Sequence, residues 1–316
     1  MANDLSANDT SLISRRRALK CMALGAGTVF AISGGVLSAI DLTRAAETGT
    51  APALGKPLFV QISDTHIGFK KDANPDVIAT LNRSIDLVNT LPKIPRLLLH
   101  TGDITHLSKP EEFDLAQELL RRLHTSEMHT TPGEHDVADT NVSEYFDRFG
   151  AASRRKGYYS FDHEGVHFIA LVNVLQAKDG GGGSLGDDQI KWALADLKGR
   201  SSSTPLVIFA HMPLWPVYEA WGWNTSDAAQ VTAALRRFGS VSVLNGHIHQ
   251  IAQKVEGNIS FHTARSTAYP QPAPGTAAGP GPLKVPAEQL AQMLGITSVT
   301  LHGHPRLLAM QDEVLA

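Results

Sequence analysis

Five short strings, spread in order along the chain, restrict its fold more than its composition does. Each ends in side chains able to hold a divalent metal: Asp64-Thr65-His66, Gly102-Asp103, Gly133-Glu134-His135-Asp136, His211 and Gly246-His247-Ile248-His249. Each follows a short segment that reads as a strand, at 58–62, 97–100, 128–131, 206–210 and 241–244, apolar in all but the third. Carboxylates and imidazoles repeatedly placed at strand ends describe one site assembled from distant segments.

Between the first strands lie helix signals. Asn74-Pro75 opens a segment with Val77, Ile78, Leu81, Ile85 and Val88 at helical spacing, and Lys109-Pro110-Glu111-Glu112 opens another carrying Phe113, Leu115, Leu119 and Leu123. Strand, helix, strand, helix, strand with a polar motif after each strand predicts an α/β architecture, whose ligands gather at the carboxyl ends of strands. The second half is richer in strands. Segments 158–161 and 166–172 read as a pair around Glu164-Gly165, 187–198 as a helix, and 261–263 and 297–302 as closing strands. The glycine run at 180–183 and the Pro/Gly/Ala-rich stretch 269–286 read as loops. Nothing repeats internally or marks a second domain, so residues 58–316 read as one domain.

The N-terminus reads differently. Arg15-Arg16-Arg17-Ala18-Leu19-Lys20 precedes an uncharged Ala/Gly-rich run from Cys21 to Ile40, a charged region and then an apolar one. The paired arginines resemble a twin-arginine export signal, with cleavage expected near Ala45 and a linker over 46–57. A retained transmembrane anchor is the competing reading, disfavoured by the glycines, serines and threonine that dilute the run's hydrophobicity. The expected location is periplasmic or secreted, the twin-arginine machinery is the expected partner, and membrane contact is expected only during export. Losing residues 1–45 removes Arg15, Arg16, Arg17, Lys20 and Arg44 against Asp4, Asp9 and Asp41, so a net charge of −3 becomes more negative. No basic footprint for a nucleic-acid polymer remains. Cys21 is the only cysteine, so the mature protein has neither a disulfide nor a thiolate site.

A two-metal hydrolytic site needs a carboxylate shared by both ions, further oxygen and nitrogen ligands, and open positions for water and a phosphoryl oxygen. Asp64 and His66 can reach one ion, Asp103 can bridge, and His247 and His249 can serve separate ions. Taken in order, the strings resemble the calcineurin-like metallophosphoesterase family, whose pattern is D-x-H, G-D, G-N-H-D or G-N-H-E, H, and G-H-x-H. The resemblance covers roughly residues 58–265. It implies a four-layer α/β sandwich, two mixed sheets flanked by helices. It also implies a first ion (Mn, Fe or Zn, divalent or trivalent) on Asp64, His66, Asp103 and His249, and a second on Asp103, Glu134, His211 and His247. A hydroxide between them would attack phosphorus, His135 would face the leaving oxygen, and Asp136 would orient His135.

Position 134 departs from the pattern, because the family usually has Asn there. Glutamate still offers an oxygen, but its charge weakens the Lewis acidity of the second ion, repels an anionic substrate and favours hard metals such as Mn²⁺ or Fe. The alternative is that Glu134 turns away.

The implied reaction is hydrolysis of small-molecule phosphate diesters or monoesters, most like the cyclic-nucleotide phosphodiesterase branch. A phosphomonoesterase acting on nucleotides or phosphoproteins and a non-catalytic metal-binding module are the alternatives. Of the remaining histidines, His100, His124, His129, His163, His167, His262, His302 and His304 read as packing or surface residues. His106 stays open between bland residue and pocket rim. Trp215, Tyr218, Trp221 and Trp223, crowded after His211, form either an apolar wall for a substrate or a cap on the sheet end.

Overall fold

The computed structural model describes residues 56–138, 142–177, 182–302 and 307–316, and two short strands nearer the N-terminus. Those strands, β1 (Thr28–Ser33) and β2 (Val36–Asp41), pair antiparallel within a unit that ends at Ala53. The paired arginines and the expected cleavage region near Ala45 lie outside the described residues. Among the described residues, no helix is long and apolar enough to cross a membrane.

Leu54–Ala316 forms the second unit. In its five-stranded sheet, β3 (Pro57–Ile62), β4 (Leu97–His100) and β5 (Glu127–Thr130) run parallel. In its six-stranded sheet, β6 (Tyr159–His163) pairs antiparallel with β7 (Val166–Ala170). There β8 (Leu206–Phe209) and β9 (Val241–Asn245) continue parallel from β7. Beyond β9 lie β11 (Ile259–Thr263), parallel, and β10 (Gln253–Glu256), an antiparallel edge. The five-stranded sheet is closed by β12 (Gly295–His302), antiparallel to β3, and β13 (Leu307–Val314) outside it.

Strands covered on both faces read as continuous apolar runs, as Leu97-Leu98-Leu99 of β4 and Leu206–Phe209 of β8 do. Alternation within each run then sorts side chains between two cores. Phe59, Leu97, Leu99, Phe168, Val207, Phe209 and Leu244 meet in one cluster between the sheets. Val60, Ile62 and Leu98 point the other way, into a core shared with α1 (Val77–Asn89) and α2 (Pro110–Leu120). On the far side, Ile169, Leu206, Ile208, Val241 and Val243 make the third core. The short helix α3 (Ser143–Arg148) adds Tyr145 and Phe146 to the first helical layer, while α4 (Asp187–Lys198) and α5 (Ala229–Leu235) cover the six-stranded sheet. The result is the four-layer sandwich of two mixed sheets flanked by helices.

Local chemistry sets the element ends. Asp76 caps α1 by accepting the Ala79 N–H at 2.9 Å, and Pro110 occupies the first turn of α2, where its missing N–H costs nothing. Ile78 is 38 % exposed, because Val77, Leu81, Ile85 and Val88 already form the buried stripe. Sequence periodicity did not reveal β10, β13, α3, α5 or α6 (Ala287–Met293), which are short or polar edge elements.

Candidate metal centre

The carboxyl ends of β3, β4 and β5 lead to Asp64, Asp103 and Glu134, and those of β8 and β9 lead to His211 and His247. Backbone bonds lock these loops together: Asp64 N–H to Gly102 O at 3.0 Å, His66 N–H to Asp103 O at 2.9 Å, and Gly246 N–H to His211 O at 3.0 Å. The two sheets meet where the His247 N–H donates to the Asp64 carboxylate at 3.1 Å.

This joining requires unusual backbone. Asp64, His66, Asp103, His247 and His249 all have left-handed φ, from 41° to 69°. That region costs a non-glycine residue about 1–2 kcal/mol, and such strain persists only where the surroundings over-determine it. Gly102, with φ 97°, supplies the reversal before Asp103. Gly133 has ordinary φ but needs its missing Cβ, which would collide with the Asp103 carboxylate.

Two groups of ligand atoms result, overlapped by two further ones, the first of His66, His106 and His135 and the second of Asp103, Glu134 and His135. Asp64, His66, Asp103 and His249, all buried, converge within 4.8 Å, as do Glu134, His211 and His247. Asp103 Oδ2 lies between the groups, 3.5 Å from His66 Nε2 and 3.4 Å from His211 Nε2. Glu134 does not turn away: Oε2 is 2.8 Å from His211 Nε2 and Oε1 is 2.9 Å from His247 Nδ1.

The donor set suits cations. Glu134 Oε2, His211 Nε2 and His247 Nδ1 are buried without a hydrogen-bond partner despite their proximity, so their lone pairs aim at a common space. In His211 and His249 the other ring nitrogen is occupied, His211 Nδ1 donating to Thr101 O at 2.7 Å and His249 Nδ1 to Tyr269 O at 2.6 Å. That arrangement fixes the tautomer of an imidazole ligand. Burial pushes the Asp64 carboxyl up, but His249 and His211 outweigh it and hold it below the usual range. Burial acts the same way on Glu134, where His247 and His211 prevail and bring it far below an ordinary glutamate. Burial, reinforced by His249, His135 and His106, keeps His66 neutral and able to ligate.

His135 sits beside both groups. Its N–H donates to Asp103 Oδ1 at 2.9 Å and its ring Nδ1 meets the His106 carbonyl at 2.7 Å. Burial disfavours its charge, yet Asp103 and Glu134 raise it above the ordinary histidine value. Asp136, expected to orient His135, does something else. Its carboxylate accepts backbone N–H groups from Gly133 at 3.0 Å, Ile104 at 3.1 Å and Thr105 at 2.8 Å, tying the β4 and β5 loops together. Backbone N–H donors claimed the carboxylate, and a carbonyl took the ring.

Two residues join the site from outside the sequence motifs. His106 stacks on His135 with centroids 4.8 Å apart and brings Nδ1 to 3.3 Å from His66 Nδ1, which settles its open reading in favour of the site. Tyr269 was read only as the start of a loop. Its carbonyl holds His249 and its hydroxyl lies 3.3 Å from His66 Nε2. Burial, with Asp103, Asp64 and Glu134 nearby, keeps that hydroxyl protonated. The Pro/Gly-rich stretch is anchored here too, through Gln250 to Pro272 O and Gln271 to His247 O.

The remaining histidines that are described lie in packing or at the surface, His124 being exposed. His100 is buried and bonded to Thr65, burial dropping it to about 3, and His262 is paired with Asp312. His304 lies outside the described residues. Trp215 and Trp223 are buried in packing, whereas Tyr218 and Trp221 are half-buried, Tyr218 lying against Gly275.

Comparisons agree with this geometry. A probable glycerophosphodiester phosphodiesterase of Arcobacter nitrofigilis is 25% identical over 67% of this chain and 79% of its own. A dimetal phosphatase from Danio rerio superposes with a TM-score of 0.61 at 14% identity, covering 83% of this chain and 98% of that one. A purple acid phosphatase from yellow lupin seeds gives 0.59 at 13% identity, covering 81% of this chain and 51% of that one. The sequence profile of the calcineurin-like phosphoesterase family matches residues 57–251. Matched over more than half its length, the chain belongs to the calcineurin-like phosphoesterase family and, with it, to the metal-dependent hydrolases.

Proposed function

We propose that this protein hydrolyses small-molecule phosphate esters, diesters foremost, at a two-metal centre. One observation carries the reading: Asp103 Oδ2 lies between two groups of converging oxygen and nitrogen atoms, the position of a shared carboxylate. Asp64, His66, Asp103 and His249 would hold the first ion, and Asp103, Glu134, His211 and His247 the second. When bound, such a pair supplies Lewis-acid polarisation of phosphoryl oxygens and activation of water at neutral pH. Glu134 in place of the usual Asn gives the second group a charged oxygen ligand, which favours Mn²⁺ or Fe.

The chain's own residues then handle binding and protons. Burial opposes a charge on His135, but Asp103 and Glu134 outweigh it and raise the ring above the ordinary histidine value. With Nδ1 engaged by the His106 carbonyl, Nε2 is the atom that hands a proton to the leaving alkoxide, a role contributing about 10²–10⁴ in rate. Asp136 serves the reaction by fixing the loop that carries Glu134 and His135.

The diester preference is supported by the curated relative named for glycerophosphodiesters. Elemental analysis of the purified protein, with paired assays on bis(4-nitrophenyl) phosphate and 4-nitrophenyl phosphate under added Mn²⁺, Fe²⁺ or Zn²⁺, tests both parts. Two metal equivalents and faster diester turnover are expected, and cleavage of neither ester would sink the reading. Export is part of the proposal, supported by Arg15-Arg16 and the uncharged run after Lys20. Periplasmic recovery of a chain beginning near residue 46, lost on replacing both arginines with lysine, is the expected result; unprocessed cytoplasmic protein would oppose it.

A further inference from the structure

We propose that His106 is a positioning residue that serves two partners at once, fixing the tautomer of His66 through its ring and steadying His135 through its carbonyl and ring face. The inference rests on His66 being a ligand and His135 the proton donor. His66 Nε2 faces the ligand group, 3.5 Å from Asp103 Oδ2, 3.2 Å from His249 Nε2 and 3.3 Å from the Tyr269 hydroxyl. A ligating Nε2 leaves the ring proton on Nδ1, and that atom meets His106 Nδ1 at 3.3 Å. To accept it, His106 must be neutral with its own proton on Nε2.

His211 and His249 use backbone carbonyls for the same purpose, Thr101 O and Tyr269 O, so side-chain substitution cannot remove them. His66 alone of these three is held by a side chain. On its other side, His106 accepts the His135 Nδ1–H at 2.7 Å and stacks on that ring at an interplanar angle of 16°. Phe69 packs edge-on against His106 at 5.1 Å and completes the support. The backbone at 106 is anchored independently, its N–H reaching Ile67 O at 2.9 Å, so changing the ring leaves the carbonyl in place.

Two variants separate the ring's two tasks. His106→Phe keeps a stacking face but has no acceptor for His66. It should still bind two equivalents of Mn²⁺ at saturation, with the tighter equivalent weakened by about 10–100-fold in calorimetry, the usual effect of losing a ligand's outer partner. His106→Gln restores an acceptor but has no ring face. Its metal affinity should stay within a few-fold of the parent, while kcat for an alkyl phosphodiester falls about tenfold more than kcat for a 4-nitrophenyl diester, since only the poor leaving group needs its proton well placed. If His106→Phe does not fold, His106→Ala carries the metal arm with the same expectation. Unchanged affinity in the acceptor-less variant, complete loss of one equivalent at saturation (a direct ligand), or an equal fall on both esters in His106→Gln would each overturn the proposal. A parent protein that binds no ions would instead overturn the metal-centre reading, and so the two failures are distinguishable.

Discussion

The two ligand groups share Asp103 but are built to different standards. Asp64, His66, Asp103 and His249 are each at most 2 % exposed, and all four carry left-handed backbone. In the second group, besides the shared Asp103, only His211 is so buried; His247 is left-handed as well, but the Glu134 side chain is 34 % exposed and stands on a 3-10 turn. Strain and burial preorganise the first group. The second has one partly open member, Glu134. On the proposed two-metal reading, an unequal pair of sites follows: a tight first ion, and a weaker second ion whose occupancy depends on Glu134.

The largest effect should come from removing what the groups share. Asp103→Ala is expected to abolish binding of both ions and lower turnover by about 10³-fold or more, the several kcal/mol attributed to metal assistance. Atomic absorption after dialysis, paired with a diester assay, checks it. Strain gives the next contrast. His249→Gly should be about 1–2 kcal/mol more stable than His249→Ala in metal-free urea melts, because glycine tolerates a φ of 52°. At His211, where the backbone is not left-handed, glycine should be the worse choice, by about 1 kcal/mol if the position costs what a regular one does. Glu134→Asn removes a negative charge facing the substrate. Its KM for an anionic diester should fall several-fold, about 1 kcal/mol at a partly solvated site, and an unchanged or higher KM would contradict the assigned repulsion.

The smallest effect concerns a largely buried histidine–carboxylate pair outside the site. His262 on β11 meets Asp312 on β13 at 3.0 Å, linking the two sheets. Burial raises the Asp312 carboxyl, but His262 and Thr297 more than offset it and hold it below 3.8. A depressed folded-state value contributes stability above the unfolded value and loses it as pH falls through the folded one. Urea melts should therefore show a loss below pH 3.8 that Asp312→Asn lacks, worth about 1 kcal/mol.

The same contrast explains what the sequence made legible. Parallel strands buried on both faces, such as Leu97-Leu98-Leu99, leave a continuous apolar signature that ends in a motif, so the core order was legible, and the family pattern picked out the seven side chains that the fold gathers. Edge strands β10 and β13 have one covered face and mixed polarity, and gave no signal. Partners chosen by backbone geometry were equally silent. Asp136 turned to three N–H groups, His135 to a carbonyl, and Tyr269 reached the site through a loop with no period. His262–Asp312 shows the converse, since nothing in the residue types alone separates it from a metal site.

Unequal sites are the central claim, and titration of metal-free protein with Mn²⁺ by calorimetry tests it most directly. The parent should show two resolved binding steps, and Glu134→Ala should lose or strongly weaken the second while the first is unchanged. A single class of sites in the parent, or equal weakening of both steps in the variant, would contradict the account.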